Sequence, residues 1–167
     1  MADIFDRTRG VLGDGAMEKL KNSRVAVFGI GGVGGYTGEA LARSGVGQLD
    51  LIDSDTVSVT NINRQILALN STIGKYKVDV CKERILDINP ECRINAYNGF
   101  YLPENADEYD LSGYDYVADA VDTVSAKLEI IEDNSKNKEY IFDIWDGIPA
   151  IEISGAEELC APMSTEH

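Results

Sequence analysis

Histidine is almost missing from this chain: the single one is His167, the last of 167 residues. Ser-His-Asp catalysis and a histidine-ligated metal are therefore set aside. Cysteine is sparse too. Cys81, Cys92 and Cys160 are odd in number and form no C-x-x-C pair, which argues against a disulfide framework and against a cysteine zinc site. Basic residues are in deficit, 15 against 29 acids for a formal net charge of -14, so a general nucleic-acid binder is disfavoured. From Tyr140 onward there are six acids (Asp143, Asp146, Glu152, Glu157, Glu158, Glu166) and no Lys or Arg. No apolar run approaches the roughly 18 residues that cross a bilayer. The first ten residues carry Asp3, Asp6, Arg7 and Arg9 and no apolar stretch of the signal-peptide kind. The expectation from these absences is a cytoplasmic protein with no membrane association. Any chemistry falls to Arg, Lys, Asp, Asn, Cys and a bound ion.

What the chain does have is Val25-Ala26-Val27-Phe28-Gly29-Ile30-Gly31-Gly32-Val33-Gly34, a short apolar run leading into G-x-G-x-x-G and then a helical pattern. This is how a buried strand, a tight turn and a helix start read in a nucleotide-binding βαβ unit. Gly29 permits the sharp turn, Gly31 permits a phosphate to approach the backbone, and Gly34 permits the helix to pack close to the sheet. The helix start then offers free N–H groups and partial positive charge to an anion.

Along the chain, the lead-in 3–23 reads as a segment with one short helix near Gly15–Leu20, and the first strand starts near Arg24. A helix over Val33–Ser44 is closed by Gly45, with close packing expected at Gly38. Leu49–Asp53 reads as a strand, and Asp53 falls about 20 residues beyond the glycines, where a ribose-binding acid sits in such units. A long polar connection runs to Gly74; loops of that length in compact domains usually carry function. The spacing of Val78, Cys81, Ile85 and Ile88 predicts an amphipathic helix over about 75–88, stopped at Asn89-Pro90, with Cys81 in the core. Strands near Arg93–Asn98, Tyr114–Ala118 and Tyr140–Ile144 alternate with helices near Pro103–Tyr109 and Ser125–Lys136. The fold class is α/β and Rossmann-like, a mostly parallel sheet with helices on both faces. Residues 1–145 form the nucleotide-binding domain and 146–167 a divergent acidic tail.

Ligands of such folds bind outside the carboxyl ends of the strands. That edge collects Gly31, Gly32, Asp53, the 55–74 loop, Asp119 and Asp122. Asn61-Ile62-Asn63-Arg64-Gln65, Lys75 and Lys77 bring cations beside the phosphate turn. A dinucleotide dehydrogenase has no need of several extra cations, whereas phosphate transfer does. Asp122 at a strand end suits Mg2+, a hard ion that prefers carboxylate and phosphate oxygens. The plain alternatives are solvated surface charge for Arg64 and Lys77, and capping of the next helix for Asp119 and Asp122.

The combination of G-x-G-G-x-G, Leu51-Ile52-Asp53-Ser54-Asp55-Thr56-Val57, Asn61-Ile62-Asn63-Arg64-Gln65, a lysine shortly after, Ile88-Asn89-Pro90 and Asp119-Ala120-Val121-Asp122 resembles the adenylating enzymes that activate ubiquitin-like proteins, over about residues 5–140. Ala40–Gly47, Val59–Ile66 and Asp119–Lys127 are more similar to that family's tRNA threonylcarbamoyladenosine dehydratase branch. The resemblance implies ATP and Mg2+ as cofactors, with Gly29, Gly31, Gly32, Gly34, Asp53, Asp55, Asn61, Arg64, Gln65 and Lys77 binding the nucleotide. It implies that Asp53 takes the ribose, that Asn61, Arg64 and Lys77 meet the phosphates, and that Asp122 supports the metal. It also implies a homodimer in which Arg7 reaches the partner's site, so that Arg7, Arg64, Lys77 and Asp122 form the catalytic set. The implied substrate is tRNA, adenylated at the threonylcarbamoyl carboxylate and then cyclised. Alternatives are the C-terminal glycine of a ubiquitin-like sulfur carrier, or a nucleotide-binding dimer without catalysis. After about Tyr140 the text Ile144-Trp145-Asp146-Gly147-Ile148-Pro149 departs from the family pattern.

Overall fold

The structure is a computed structural model, and it describes residues 3–101, 111–137, 140–145 and 148–152. Six strands form one sheet: β1 (Arg24–Phe28), β2 (Gln48–Ile52), β3 (Arg93–Tyr97), β4 (Tyr116–Asp119), β5 (Tyr140–Trp145) and β6 (Ile148–Glu152). Their spatial order is β3-β2-β1-β4-β5-β6. Every pairing from β3 through to β5 is parallel, and β6 runs antiparallel to β5. The helices are α1 (Asp6–Leu12), α2 (Asp14–Asn22), α3 (Gly32–Ser44), α4 (Lys77–Ile88) and α5 (Val124–Asn137).

Alternate strand residues face opposite sides of the sheet, and both sides are apolar. Val25, Val27, Leu49 and Leu51 join Val78, Cys81 and Ile85 of α4 in one core. Ala26, Phe28, Ile52 and Val117 join Tyr101, Leu111 and Ile130 in the other. On that second side the fully buried Asp50 accepts hydrogen bonds from Arg24 Nη2 at 2.6 Å, Tyr114 Oη at 2.6 Å and Asn95 Nδ2 at 2.8 Å. Cys81 is a core residue as expected, and burial pushes its thiol up to about 12.

Strand order reverses between β1 and β4, because β2 and β3 lie to one side of β1 and the later strands to the other. The register aligns Phe28 with Ile52 and with Asp119. Gly29, Asp53 and Ala120 therefore leave the sheet side by side and open a crevice at its carboxyl edge.

Three local expectations change. The lead-in holds two helices rather than one, joined at Gly13 with φ +80°. They dock through Gly47, whose N–H bonds to the Leu20 carbonyl at 3.0 Å and whose missing Cβ would overlap the Lys21 carbonyl oxygen. Within the stretch read as an acidic tail, Ile148–Glu152 forms β6. It pairs antiparallel with β5 and stands at the end of the strand order among the described residues. At Gly38 the packing is looser than expected, since an added Cβ would lie 3.5 Å from Cys81 Sγ, ordinary contact. The helix expected at Pro103–Tyr109 lies outside the described residues, as does Cys160.

Candidate nucleotide site

The crevice is a cleft of about 600 Å3, bounded by the glycine turn, the start of α3, the 53–55 and 61–65 segments, Lys77, the Gly99–Tyr101 segment and the 120–123 turn. Gly29 adopts φ +83°, where L side chains are strained, and a Cβ there would come within 2.6 Å of the Ala120 carbonyl oxygen. At Gly34 a Cβ would overlap the Gly29 carbonyl oxygen, so the helix reaches the sheet only because this residue has no side chain. Gly31 precedes α3, and a Cβ added there would meet only Gln65 Nε2, at 3.8 Å. No side chain caps α3 and no acid stands in its first turn. Its leading N–H groups are left to a ligand, and the helix dipole favours an anionic one.

Asp53 follows β2 and is held by two backbone donors, Ile30 N–H to Oδ2 at 2.6 Å and Asp55 N–H to Oδ1 at 2.7 Å. Its carboxylate is thus fixed beside the glycine turn before any ligand arrives. Lys77, first residue of α4, is not a solvated charge: it is 5% exposed, with Nζ 2.7 Å from Asp55 Oδ2 and 3.9 Å from Asp53 Oδ2. Asp55 is therefore in the first place the partner of Lys77. Arg64 does stand in solvent, on the cleft wall, with Nη1 donating to the Thr60 carbonyl at 2.7 Å. Asn61 is buried, and its amide oxygen accepts the Ser58 N–H at 2.9 Å, closing the turn that presents Arg64. Gln65 is buried against the same turn, and its Oε1 has no hydrogen-bond partner among the described residues.

The two acids of Asp119-Ala120-Val121-Asp122 are not equivalent. Asp119 is fully buried, with Lys127 Nζ at 3.1 Å from Oδ2. Asp122 is exposed on the cleft wall. Lys75 is exposed and does not line the cleft, because Tyr76 and Lys77 turn into α4 and only the latter points inward. Arg7 is exposed on α1, outside its own chain's cleft. Two features escaped the sequence reading. Lys127 lies five residues beyond Asp122, in the first turn of α5, and that spacing could have flagged it. The Phe100-Tyr101 pair forms an apolar wall, with Tyr101 packed edge-on to Phe28 at 4.9 Å between ring centroids. It follows β3 directly, where the same switch-point rule applies.

Residues 5–143 match the ThiF family. The chain belongs to that family. As a ThiF-family chain it is 49% identical over 133 residues to the tRNA threonylcarbamoyladenosine dehydratase of Bacillus subtilis, covering 80% of this chain and 52% of the relative. The crystal structure of the Escherichia coli tRNA N6-threonylcarbamoyladenosine dehydratase in complex with ATP superposes with a TM-score of 0.80 at 44% identity, over 82% of this chain and 56% of that one. The molybdopterin-synthase adenylyltransferase of Salmonella typhimurium is 40% identical over 113 residues, covering 68% of this chain and 45% of the relative. The ThiF-family chain thus spans about half the length of the curated relatives it matches. Among the described residues no helix is long and apolar enough to cross a membrane.

Proposed function

We propose that this chain binds ATP in the cleft and adenylates a carboxylate, that of the threonylcarbamoyl group on a modified adenosine of tRNA. The observation that carries the proposal is one rim that joins an uncapped helix start, a fixed acid in Asp53 and two cations of different exposure, buried Lys77 and exposed Arg64. A carboxylate is a poor electrophile until one of its oxygens becomes part of a good leaving group. Its oxygen attacks the α-phosphorus of ATP, the bond to the β-phosphate oxygen breaks, and pyrophosphate departs with the electron pair. Arg64, Lys77 and the α3 N-terminus stabilise the charge that builds on the phosphates. The carbamoyl group then attacks the activated carbonyl and AMP leaves carrying the former carboxylate oxygen, so the net change is loss of water. That closure is intramolecular, and holding the adenylate still supplies much of its rate.

Mg2+ fits the donor set. Asp122, exposed on the cleft wall, would be the chain's ligand, and the ATP phosphates would offer the other oxygens. That is how this hard ion is commonly held, and it would supply charge neutralisation at the phosphates. The site is completed in a homodimer by Arg7 of a second copy, in the cytoplasm, where ATP and tRNA meet.

The similarity to a molybdopterin-synthase adenylyltransferase favours one other reading, adenylation of the C-terminal glycine of a ubiquitin-like carrier. Calorimetry with ATP and Mg2+, and separately with NAD, tests the nucleotide: ATP alone should bind, and binding of NAD alone would overturn the proposal. Pyrophosphate exchange driven by bulk tRNA or by a carrier peptide separates the substrates. ATP binding without exchange under either condition would mark a nucleotide-binding dimer that lacks catalysis. Arg64→Ala should abolish exchange while leaving thermal unfolding unchanged.

A further inference from the structure

The turn that carries Asp122 is fastened on every side by groups other than Asp122 itself. Ala120 N–H donates to the Phe28 carbonyl at 2.8 Å, which ties the turn to the strand before the glycine loop. The Ala120 carbonyl occupies the space left free by Gly29. Val121 N–H donates to Asp119 Oδ1 at 3.1 Å, and Lys127 Nζ donates to Asp119 Oδ2 at 3.1 Å. Both carboxylate oxygens of Asp119 are thus engaged inside the protein, where the residue is 0% exposed. The Lys127 side chain is only 11% exposed. Asp122 has no hydrogen bond or ion pair among the described residues, and it lines the cleft.

We infer that Asp119 and Lys127 are positioning residues that fix the 120–123 turn against the glycine loop and thereby set how strongly Asp122 draws a divalent cation to bound ATP. The inference rests on the nucleotide reading above. The full burial of Asp119 and its tie to the part-buried Lys127 argue for this role over simple helix capping. Asp119 accepts from Val121 N–H, ahead of α5, and from Lys127 Nζ, and neither donor is a backbone N–H of the first turn of α5. The ion pair joins the end of β4 to the first turn of α5. It holds the turn from beneath while Ala120 holds it from the glycine side, so the acid and the phosphate turn move as one piece. Residues behind a metal's direct ligands commonly change its affinity by about ten- to a hundredfold.

The test is calorimetric titration of ATP, with Mg2+ and with a chelator, into the wild-type chain, Lys127→Met, Lys127→Arg and the double variant Asp119→Asn/Lys127→Gln, with thermal unfolding beside each. Lys127→Met should lose about ten- to a hundredfold of the Mg2+-dependent gain in ATP affinity while its Mg2+-free affinity stays unchanged, and Lys127→Arg should restore the gain. If Lys127→Met does not fold, the double variant, which replaces both charges of the pair with neutral amides, faces the same criteria. A folded variant with an intact gain overturns the inference, as does a parallel fall in Mg2+-free affinity. Failure of every variant to fold makes the pair a fold staple only, and overturns it too. A wild-type chain that binds ATP with no gain from Mg2+ sinks the metal part of the proposed function, a result distinct from a gain that survives loss of Lys127.

Discussion

Lys77 shows how far one residue's setting departs from its type. A lysine beside a long polar connection reads as surface charge, yet this one is buried and held at 2.7 Å by Asp55, whose own side chain is 60% exposed. An incoming phosphate would compete with Asp55 for the same ammonium. Lys77→Met should weaken ATP binding by roughly ten- to a hundredfold, the loss of one charge-assisted hydrogen bond. Asp55→Asn should bind ATP at least as tightly as wild type, because it removes a competing negative charge. Weaker binding in Asp55→Asn would mean that Asp55 itself touches the nucleotide. The motif made Asp53, Arg64 and Lys77 visible as a set, because spacing from the glycines is written in the chain. It could not reveal that Lys77 is buried and Arg64 is not, since exposure depends on what α4 and the Ser58–Asn61 turn pack against.

At the scale of elements, the α3–α4 contact is fastened by Glu39, which accepts from Arg84 Nε at 2.6 Å and pairs with Arg43 at 2.7 Å. The Arg84 hydrogen bond, then that of Arg43, holds the Glu39 carboxyl below its ordinary value of 4.5. A lowered value in the folded state means stability that is present above the unfolded value and is lost as pH falls through the folded one. Unfolding followed from pH 7 downward should therefore show a loss beginning near the ordinary carboxylate value, and Arg84→Met should blunt it. The same contact contains Gly38, where a methyl group fits, so Gly38→Ala should raise stability by up to about 1 kcal/mol. Gly47→Ala should lower it by about 1–3 kcal/mol, because the Lys21 carbonyl oxygen already fills the space. Chemical denaturation of the two variants checks both signs. The helical periodicity of Val78, Cys81 and Ile85 made α4 legible. The two glycines look alike in the sequence, and only their neighbours give them opposite signs.

For the whole molecule, Arg7 on α1 lies outside its own cleft, and α1 has no buried residue. The proposed dimer makes a sharp demand of this arrangement. Arg7→Ala and Arg64→Ala should each be inactive alone. Mixed and allowed to exchange subunits, they should regain up to about a quarter of wild-type exchange, because heterodimers carry one intact site of two. Sedimentation must show a dimer in the same buffer; a monomer with full activity would remove Arg7 from the site.

The sequence by itself determined the strand–turn–helix at Val25–Gly34, the alternation of strands and helices, and the residues that gather at one sheet edge. Those follow from local rules: apolar runs, periodicity, the need for glycine at a sharp turn, and the switch-point geometry of parallel sheets. Tertiary structure alone decided which acid of Asp119-Ala120-Val121-Asp122 is buried, which lysine points inward, and that Ile148–Glu152 joins the sheet. These outcomes depend on partners far apart in the chain or on a free strand edge. A carboxylate's role is set by whether another element brings a cation to it, and no local pattern records that.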